Sequence, residues 1–387
     1  MARDVSLTQV VLQWGRIGCV GFGGPPAHIS LLRDLCVVKK KWMNDEYFED
    51  AIATCNLLPG PASTQLSILC AWTIAGTPGA IIGGLAFILP GLVAIIALSS
   101  VFLASAPPEW VLAVGAGASS ALVAVALHAG FSVVPNSWKR TQSKFRWISY
   151  VIAGSLASVF AGSGVVVVLL GCGFFELLYR RGVPRRFSAS ITHIALLVAT
   201  LESGALRRGI DNSLLWVAFK VGALSYGGGF VIIPMMLNDA VHQFAWMTET
   251  QFLDAVVLGQ ITPGPVVHTV AVVGFAAGGI MGAVVAACVA FVPSFLLIGC
   301  GARHFERLRK NTSVRSFLDG AGPGAIGAIL GVSVPLLMSL SEGWQWIIAA
   351  SAVGSVFVLR RSPFQVLLFA AAAGALCVQF GAALPTA

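Results

Sequence analysis

Residues 80–99 and 112–127 carry no charged side chain and do not alternate between apolar and polar positions. Uncharged runs of that length are what an α-helix needs to cross the hydrocarbon layer. A transmembrane β-barrel requires alternation over segments of about ten residues, so it is excluded. Composition closes the other routes. Charged residues make up 10% of the chain and hydrophobic ones 57%, whereas a soluble domain carries about 25% charged residues. Too few charges remain to cover a soluble surface, so soluble, disordered, collagen-like and nucleic-acid-binding readings fall. The fold class is an all-α polytopic membrane protein embedded in a lipid bilayer. The net charge of +8 is read as Lys and Arg in cytoplasmic loops. The N-terminus, with Asp4 and Arg16 around its apolar stretch, makes a poor cleavable signal peptide.

The chain is also a duplication. Residues 14–61 match residues 218–265 at a fixed offset of 204. Arg16 falls on Lys220, Phe22-Gly23-Gly24 on Tyr226-Gly227-Gly228, and Trp42-Met43 on Trp246-Met247. Asp50 falls on Asp254, and Asn56-Leu57-Leu58-Pro59-Gly60-Pro61 on Gln260-Ile261-Thr262-Pro263-Gly264-Pro265. After one deletion Pro90 falls on Pro293. The halves are residues 1–200 and 201–387. Three equivalent pairs of loops have opposite charge. Arg33, Lys39, Lys40 and Lys41 precede Trp42, while the stretch before Trp246 holds Asp239 and no Lys or Arg. The other two pairs contrast 99–110, which has no Lys or Arg, with Arg303, Arg307, Arg309, Lys310 and Arg315, and Lys139, Arg140, Lys144 and Arg146 with a counterpart near Glu342 that has no Lys or Arg. Basic loops face the cytoplasm, so the spacing predicts two repeats inserted upside down relative to each other. Such repeats place substrate between them near the midplane.

Apolar helical spans are expected over 6–22, 79–104, 111–134, 147–160, 163–179, 188–203, 213–227, 282–301, 320–340, 344–359 and 364–384. An even number of crossings conflicts with opposite insertion. Either 188–203 lies on the surface or one glycine-rich helix does not cross fully. Segments 47–75 and 251–277 each contain Pro-Gly-Pro and are expected as broken, re-entrant half-helices. Proline removes a donor and disfavours helix before it. Broken helices survive in lipid only when buried in protein or lining a cavity.

The residues following each break, Ser63, Thr64 and Gln65 after Pro59-Gly60-Pro61, and Thr269 after Pro263-Gly264-Pro265, begin half-helices whose positive ends favour an anion. Asn56 and Gln260 offer neutral donors beside them. A packing kink is the alternative. Gly23, Gly24, Gly227 and Gly228 allow close helix approach or an unwound turn with amides facing a ligand. Arg16 and Lys220 are equivalent cations in apolar surroundings with no equivalent acid beside them. Either they meet a negatively charged substrate or they snorkel to an interface. Asp50 and Asp254 carry coupling protons, or interact with helix N-termini. The eight Cys form no C-x-x-C pair and the six His show no ligand spacing. No metal, cofactor or catalytic residue is assigned, and the chain is read as no enzyme.

Gly21-Phe22-Gly23-Gly24-Pro25-Pro26-Ala27-His28-Ile29, Asn56-Leu57-Leu58-Pro59-Gly60-Pro61 with Gln65, and Gly83-Gly84-Leu85-Ala86-Phe87-Ile88-Leu89-Pro90-Gly91 resemble the chromate ion transporter (CHR) family. So do Lys220-Val221-Gly222-Ala223-Leu224-Ser225-Tyr226-Gly227-Gly228-Gly229 and Gly259-Gln260-Ile261-Thr262-Pro263-Gly264-Pro265. The resemblance covers most of the chain in its two-domain, long form. It implies chromate export across the bacterial inner membrane and chromate resistance, with sulfate as a chemical analogue. A sulfate or other inorganic anion carrier, a passive anion channel and a thiol-based chromate reductase are the rivals. The coupling ion and a homodimer stay open.

Overall fold

The computed structural model describes residues 5–56, 58, 60–181, 210–225, 229–301 and 311–385. Pro59, Gly227 and Gly228 of the expected site, and the expected span 188–203, lie outside the described residues. Among the described residues the chain is helical and has no strand. The first half contains α1 (Leu7–Val20), α2 (Pro25–Arg33) and α3 (Asp45–Cys55), followed by α4 (Ala62–Phe102), α5 (Glu109–Arg140), α6 (Lys144–Phe160) and α7 (Val165–Arg181). The second contains α8 (Ile210–Leu224), α9 (Ile233–Leu237), α10 (Glu249–Ile261) and α11 (Thr269–Gly301). It ends with α12 (Thr312–Gly331), α13 (Ser333–Met338), α14 (Gly343–Phe357) and α15 (Pro363–Gln379). Local chemistry sets the starts. Asn44 accepts from Tyr47 N–H at 2.9 Å, and Thr248 with Gln251 forms a capping box at α10, each satisfying amides that a helix start leaves open.

Four helical stretches are long and apolar enough to cross a membrane: Ala62–Phe102, Glu109–Arg140, Val266–Gly301 and Thr312–Met338. The protein is an all-α multi-pass membrane protein. Two of these helices are not straight. Helical geometry fails at Ala75 and Gly76 in α4, and at Gly278 and Gly279 in α11. Gly76 and Gly279 share a φ of +62°, a value that side-chain-bearing residues avoid. The chain doubles back at each point. A methyl on Gly83 would meet the Ala71 Cβ at 2.6 Å, although twelve residues of straight helix would separate them by about 18 Å. A methyl on Gly274 would likewise meet the Ala286 Cβ at 2.7 Å.

α3 and the leading part of α4 lie side by side as well. Tyr47 Oη and Thr73 Oγ1 are 3.1 Å apart, with the turn at Gly60 midway between them in sequence. The corresponding close pair around Gly264 is Gly259 and Thr269. Each half therefore carries a tip, at Gly60 in one and Gly264 in the other, flanked by two helical arms.

The halves grip each other. α12 packs between α6 and α7, while α14 and α15 pack on α5. Glycines bring the backbones close. A methyl on Gly374 would meet Gly117 Cα at 2.6 Å, and one on Gly331 would meet Ser155 O at 2.6 Å. Ser155 Oγ also donates to Gly327 O at 2.9 Å. Glu176 fastens α7 to α6 beside one of these seams. It accepts from Arg146 Nε at 2.8 Å, Arg180 Nε at 2.6 Å and Tyr150 Oη at 2.8 Å. Arg180 then donates to Asp319 on α12 at 2.8 Å. A buried carboxylate needs such pairing to remain ionised at acceptable cost.

Candidate functional site

The two Pro-Gly-Pro tips meet the opposite half. Gly60 has a φ of +114° and Gly264 one of +97°, so each tip turns where only glycine is at ease. A methyl on Gly60 would lie 3.4 Å from both Gly222 O and Ser294 Oγ, atoms of the second half. It would also lie 2.6 Å from Gln65 Nε2. Gly264, in turn, faces the first half. Its N–H donates to Gly21 O at 3.0 Å, and a methyl on it would be 3.8 Å from Phe87 O. The two glycine-rich turns converge on the second tip. Val266 lies 3.6 Å from the place of a methyl on Gly24 and 3.3 Å from that on Gly229.

Gly21 O takes a second hydrogen bond, from His28 Nε2 at 2.9 Å. A carbonyl only accepts, so Nε2 carries the hydrogen. In a neutral ring Nδ1 then accepts from Ser63 Oγ, 3.3 Å away. This couples α2, the start of α4 and the second tip through one carbonyl.

Several buried polar atoms near the tips have no partner. They are Thr64 Oγ1, Ser67 Oγ, Ser225 Oγ, Gln260 Nε2 and Ser294 Oγ. Native interiors leave few such groups, and each costs about 1–3 kcal/mol unpaired. Hydroxyls and an amide supply hydrogen-bond donors without formal charge. Such donors are chemically suited to an anion's oxygens.

A cavity of about 460 Å³ reaches the first tip from the surface. Its outer wall includes Lys139 and Arg140, and its inner end includes Asn56, Gly60 and Ala62. Glu49 and Asp319 also line it, but both carboxylates have arginine partners, Arg33 and Arg180. Ala62 opens α4, whose leading amides have no helical acceptor and whose Pro61 cap supplies no side-chain bond. Val266, Val267 and His268 are buried and line neither this cavity nor an apolar one of about 470 Å³ behind Leu58.

The expected residues divide accordingly. Gly24, Gly60, Pro61, Thr64, Gln65, Gln260, Gly264 and Pro265 are buried around the tips, with Gly23 and Pro263 half-buried beside them and Asn56 on the cavity wall. Ser63 is buried, but its hydroxyl is engaged with His28. Thr269 donates to Val266 O at 2.8 Å, and the Gly264 amide is committed to Gly21. Arg16 and Lys220 are placed differently from each other. Arg16 lies on an exposed face of α1. Lys220 does have an acid beside it, because its Nζ sits 2.5 Å from Asp239 Oδ2. Asp239 is fully buried, and a buried carboxylate draws an opposite charge to itself. The equivalent acids also differ. Asp50 is half-buried on α3, whereas Asp254 is 4% exposed and packs against Gly115 of α5. His28, His268, Ser225, Ser294, Lys139 and Arg140 were not expected at the site. The only sequence sign for Ser294 was its place after Pro293, matching Gly91 after Pro90.

Comparison with known proteins agrees over both halves. A family model described as chromate transporter matches residues 8–177 and 212–376. The chain is 30% identical to a chromate transport protein of Cupriavidus metallidurans, covering 87% of this chain and 84% of that one. It is 28% identical to a probable chromate transport protein of Synechococcus elongatus, covering 86% and 84% of the two chains. A chromate transport protein of Pseudomonas aeruginosa is 27% identical over 87% of this chain and 83% of its own. No solved structure matches the chain.

Proposed function

The chain belongs to the chromate transporter family, and from that premise we propose that it exports chromate across the bacterial inner membrane by secondary active transport and so confers chromate resistance. The family is one of transporters rather than enzymes. Chromate is a tetrahedral dianion, and its recognition needs donors and positive potential rather than a nucleophile or metal.

The observation that carries this reading is the cavity. It leads from Lys139 and Arg140 to the Gly60 tip and the open end of α4, where Thr64 Oγ1 has no partner. Basic residues at a mouth raise the local anion concentration. A helix start offers amides to negative oxygens. In this reading residues 1–200 and 201–387 are inverted repeats and the two tips are re-entrant. The opposite charges of equivalent loops and the recurrence of both doubled-back helices support it. The first tip opens to the basic side, as one state of an alternating-access cycle requires. The substrate residues are those at the tips: Gly24, Asn56, Gly60, Thr64, Gln65, Gln260 and Ser294.

Outward movement of two negative charges gains about 4.6 kcal/mol at an inside-negative potential of 100 mV. Asp254 is the residue placed to couple a proton as well, since it is a buried acid with no described ion pair. Everted vesicles test the proposal. Energised vesicles should accumulate labelled chromate, excess sulfate should compete, and collapse of the potential should stop uptake. Preferred sulfate uptake without chromate accumulation would identify a sulfate carrier. Unitary currents with no accumulation against the electrochemical gradient would identify a channel.

A further inference from the structure

In each half the chain enters its tip through a widened helical turn. After α2, Asp34–Lys39 wind as a π-helix, and after α9 so do Asn238–Gln243. The two turns stand at the same offset of 204 that relates the halves. Their hydrogen bonds correspond. Lys40 N–H donates to Leu35 O at 2.9 Å and Phe244 N–H to Asp239 O at 3.0 Å, each across five residues where an α-helix spans four. Trp42 N–H then donates to Cys36 O and Trp246 N–H to Ala240 O, both at 2.8 Å. The ordinary left-handed helix stop closes across five residues, and these close across six.

The stop is strained in both halves. Its left-handed residue is usually glycine. Here it is Lys41, with a φ of +49°, and Ala245, with +50°. That conformation is disfavoured roughly fivefold to thirtyfold for a residue with a side chain. Local sequence does not impose it. Between Asp34–Met43 and Asn238–Met247 only Val37, Trp42 and Met43 recur, as Val241, Trp246 and Met247. A strained geometry persists where its surroundings enforce it, and such sites cluster where proteins switch. The placement fits a switch. Cys36 and Ala240 are fully buried and anchor one end of each turn. Residues 40–44 and 244–248 lead from the other end into α3 and α10, the arms that carry Gly60 and Gly264.

We propose that the two π-turns are paired hinges, each holding one residue in reserve and releasing it when its tip moves. This rests on the proposed alternating access and supplies its moving part. When a π-turn rewinds as α, Lys39 in place of Lys40 takes the Leu35 carbonyl, or Gln243 in place of Phe244 takes that of Asp239. One residue passes into the connection, which lengthens by up to about 3.6 Å. The left-handed residue relaxes at the same moment, so the strain at Lys41 and Ala245 brings the wound and rewound states closer in energy.

Glycine substitution tests this. Lys41→Gly and Ala245→Gly remove the strain and should each favour the wound turn about fivefold. Lys41→Ala removes the lysine side chain but keeps the strain, and should match wild type. Hydrogen exchange reads the turns directly, without chromate. Exchange across 34–43 should slow about fivefold in Lys41→Gly, and across 238–247 in Ala245→Gly. Unchanged or faster exchange would overturn the inference, since a fixed turn gains only local flexibility from glycine. Coupling to the tip is read in two ways. One is labelling of Ala62→Cys, at the inner end of the cavity, by an impermeant maleimide added on the basic side. The other is chromate Vmax in proteoliposomes. A wound state favoured fivefold either raises the open fraction or slows departure from it, so Lys41→Gly should speed labelling or lower Vmax by up to about fivefold. If both stay at wild-type values, or Lys41→Ala reproduces Lys41→Gly, the hinge assignment fails. A wild type that moves no chromate would sink the transport reading, and exchange with labelling would still decide the hinges.

Discussion

Replacing Glu176 by Gln keeps the shape of the side chain and removes its charge. The Glu176 side chain is 3% exposed, and its partners Arg146 and Arg180 are 20% and 16% exposed. Removing one member of a buried ion pair costs about 3–5 kcal/mol, because the remaining charge is left uncompensated. Both arginines retain some relief. Arg146 lies over the Tyr179 ring at 4.1 Å, and Arg180 keeps Asp319 at 2.8 Å. Their partial exposure adds solvent screening. The loss should therefore sit below that range, at about 2–3 kcal/mol. Heating detergent-solubilised protein and following the monodisperse fraction should show a midpoint lower by about 3–6 °C. Replacing Glu176 and Arg146 together by Met should recover at least half of the loss, since a matched apolar pair carries no buried charge. A Glu176→Gln midpoint within about 1 °C of wild type would refute the view that this cluster fastens α7 to α6.

Lys220→Gln should lower membrane abundance by stranding the buried Asp239, and Lys220→Gln with Asp239→Asn should restore it. Arg16→Gln should leave abundance and resistance near wild type; immunoblots and growth in chromate check both. Asp254→Asn should keep downhill chromate exchange in proteoliposomes but lose accumulation driven by a pH gradient, whereas Asp50→Asn should change neither by more than about twofold; equal effects would remove Asp254 from coupling. Neutralising Lys139 and Arg140 together should raise the chromate KM about threefold to tenfold at low salt with Vmax unchanged, and the difference should vanish in high salt.

Much of this architecture could be read from one dimension, for identifiable reasons. Long uncharged runs force helices in lipid, and Pro-Gly-Pro must interrupt them wherever it occurs. The repeat made each break count twice. What escaped is what depends on facing and partnership. A helix apolar on all sides carries no periodic sign of which face meets lipid, so Arg16 and Lys220 looked alike although one is exposed and the other paired. Asp239 lies nineteen residues from Lys220, outside the helix that holds it. The joining of Gly21 O to Gly264 N–H spans both halves and involves only backbone, so no side-chain pattern announces it.

The mutual clasp of the halves bears on how the protein is made. While the ribosome is still short of residue 312, α6 and α7 have no α12 to enclose. Their glycine-lined seam, and the Arg180 guanidinium that will meet Asp319, wait open in the bilayer. α5 waits longer, until α14 and α15 arrive. Insertion of the first half is thus separate from its maturation, and the newborn chain needs either its own remainder or a borrowed copy of it to close those surfaces.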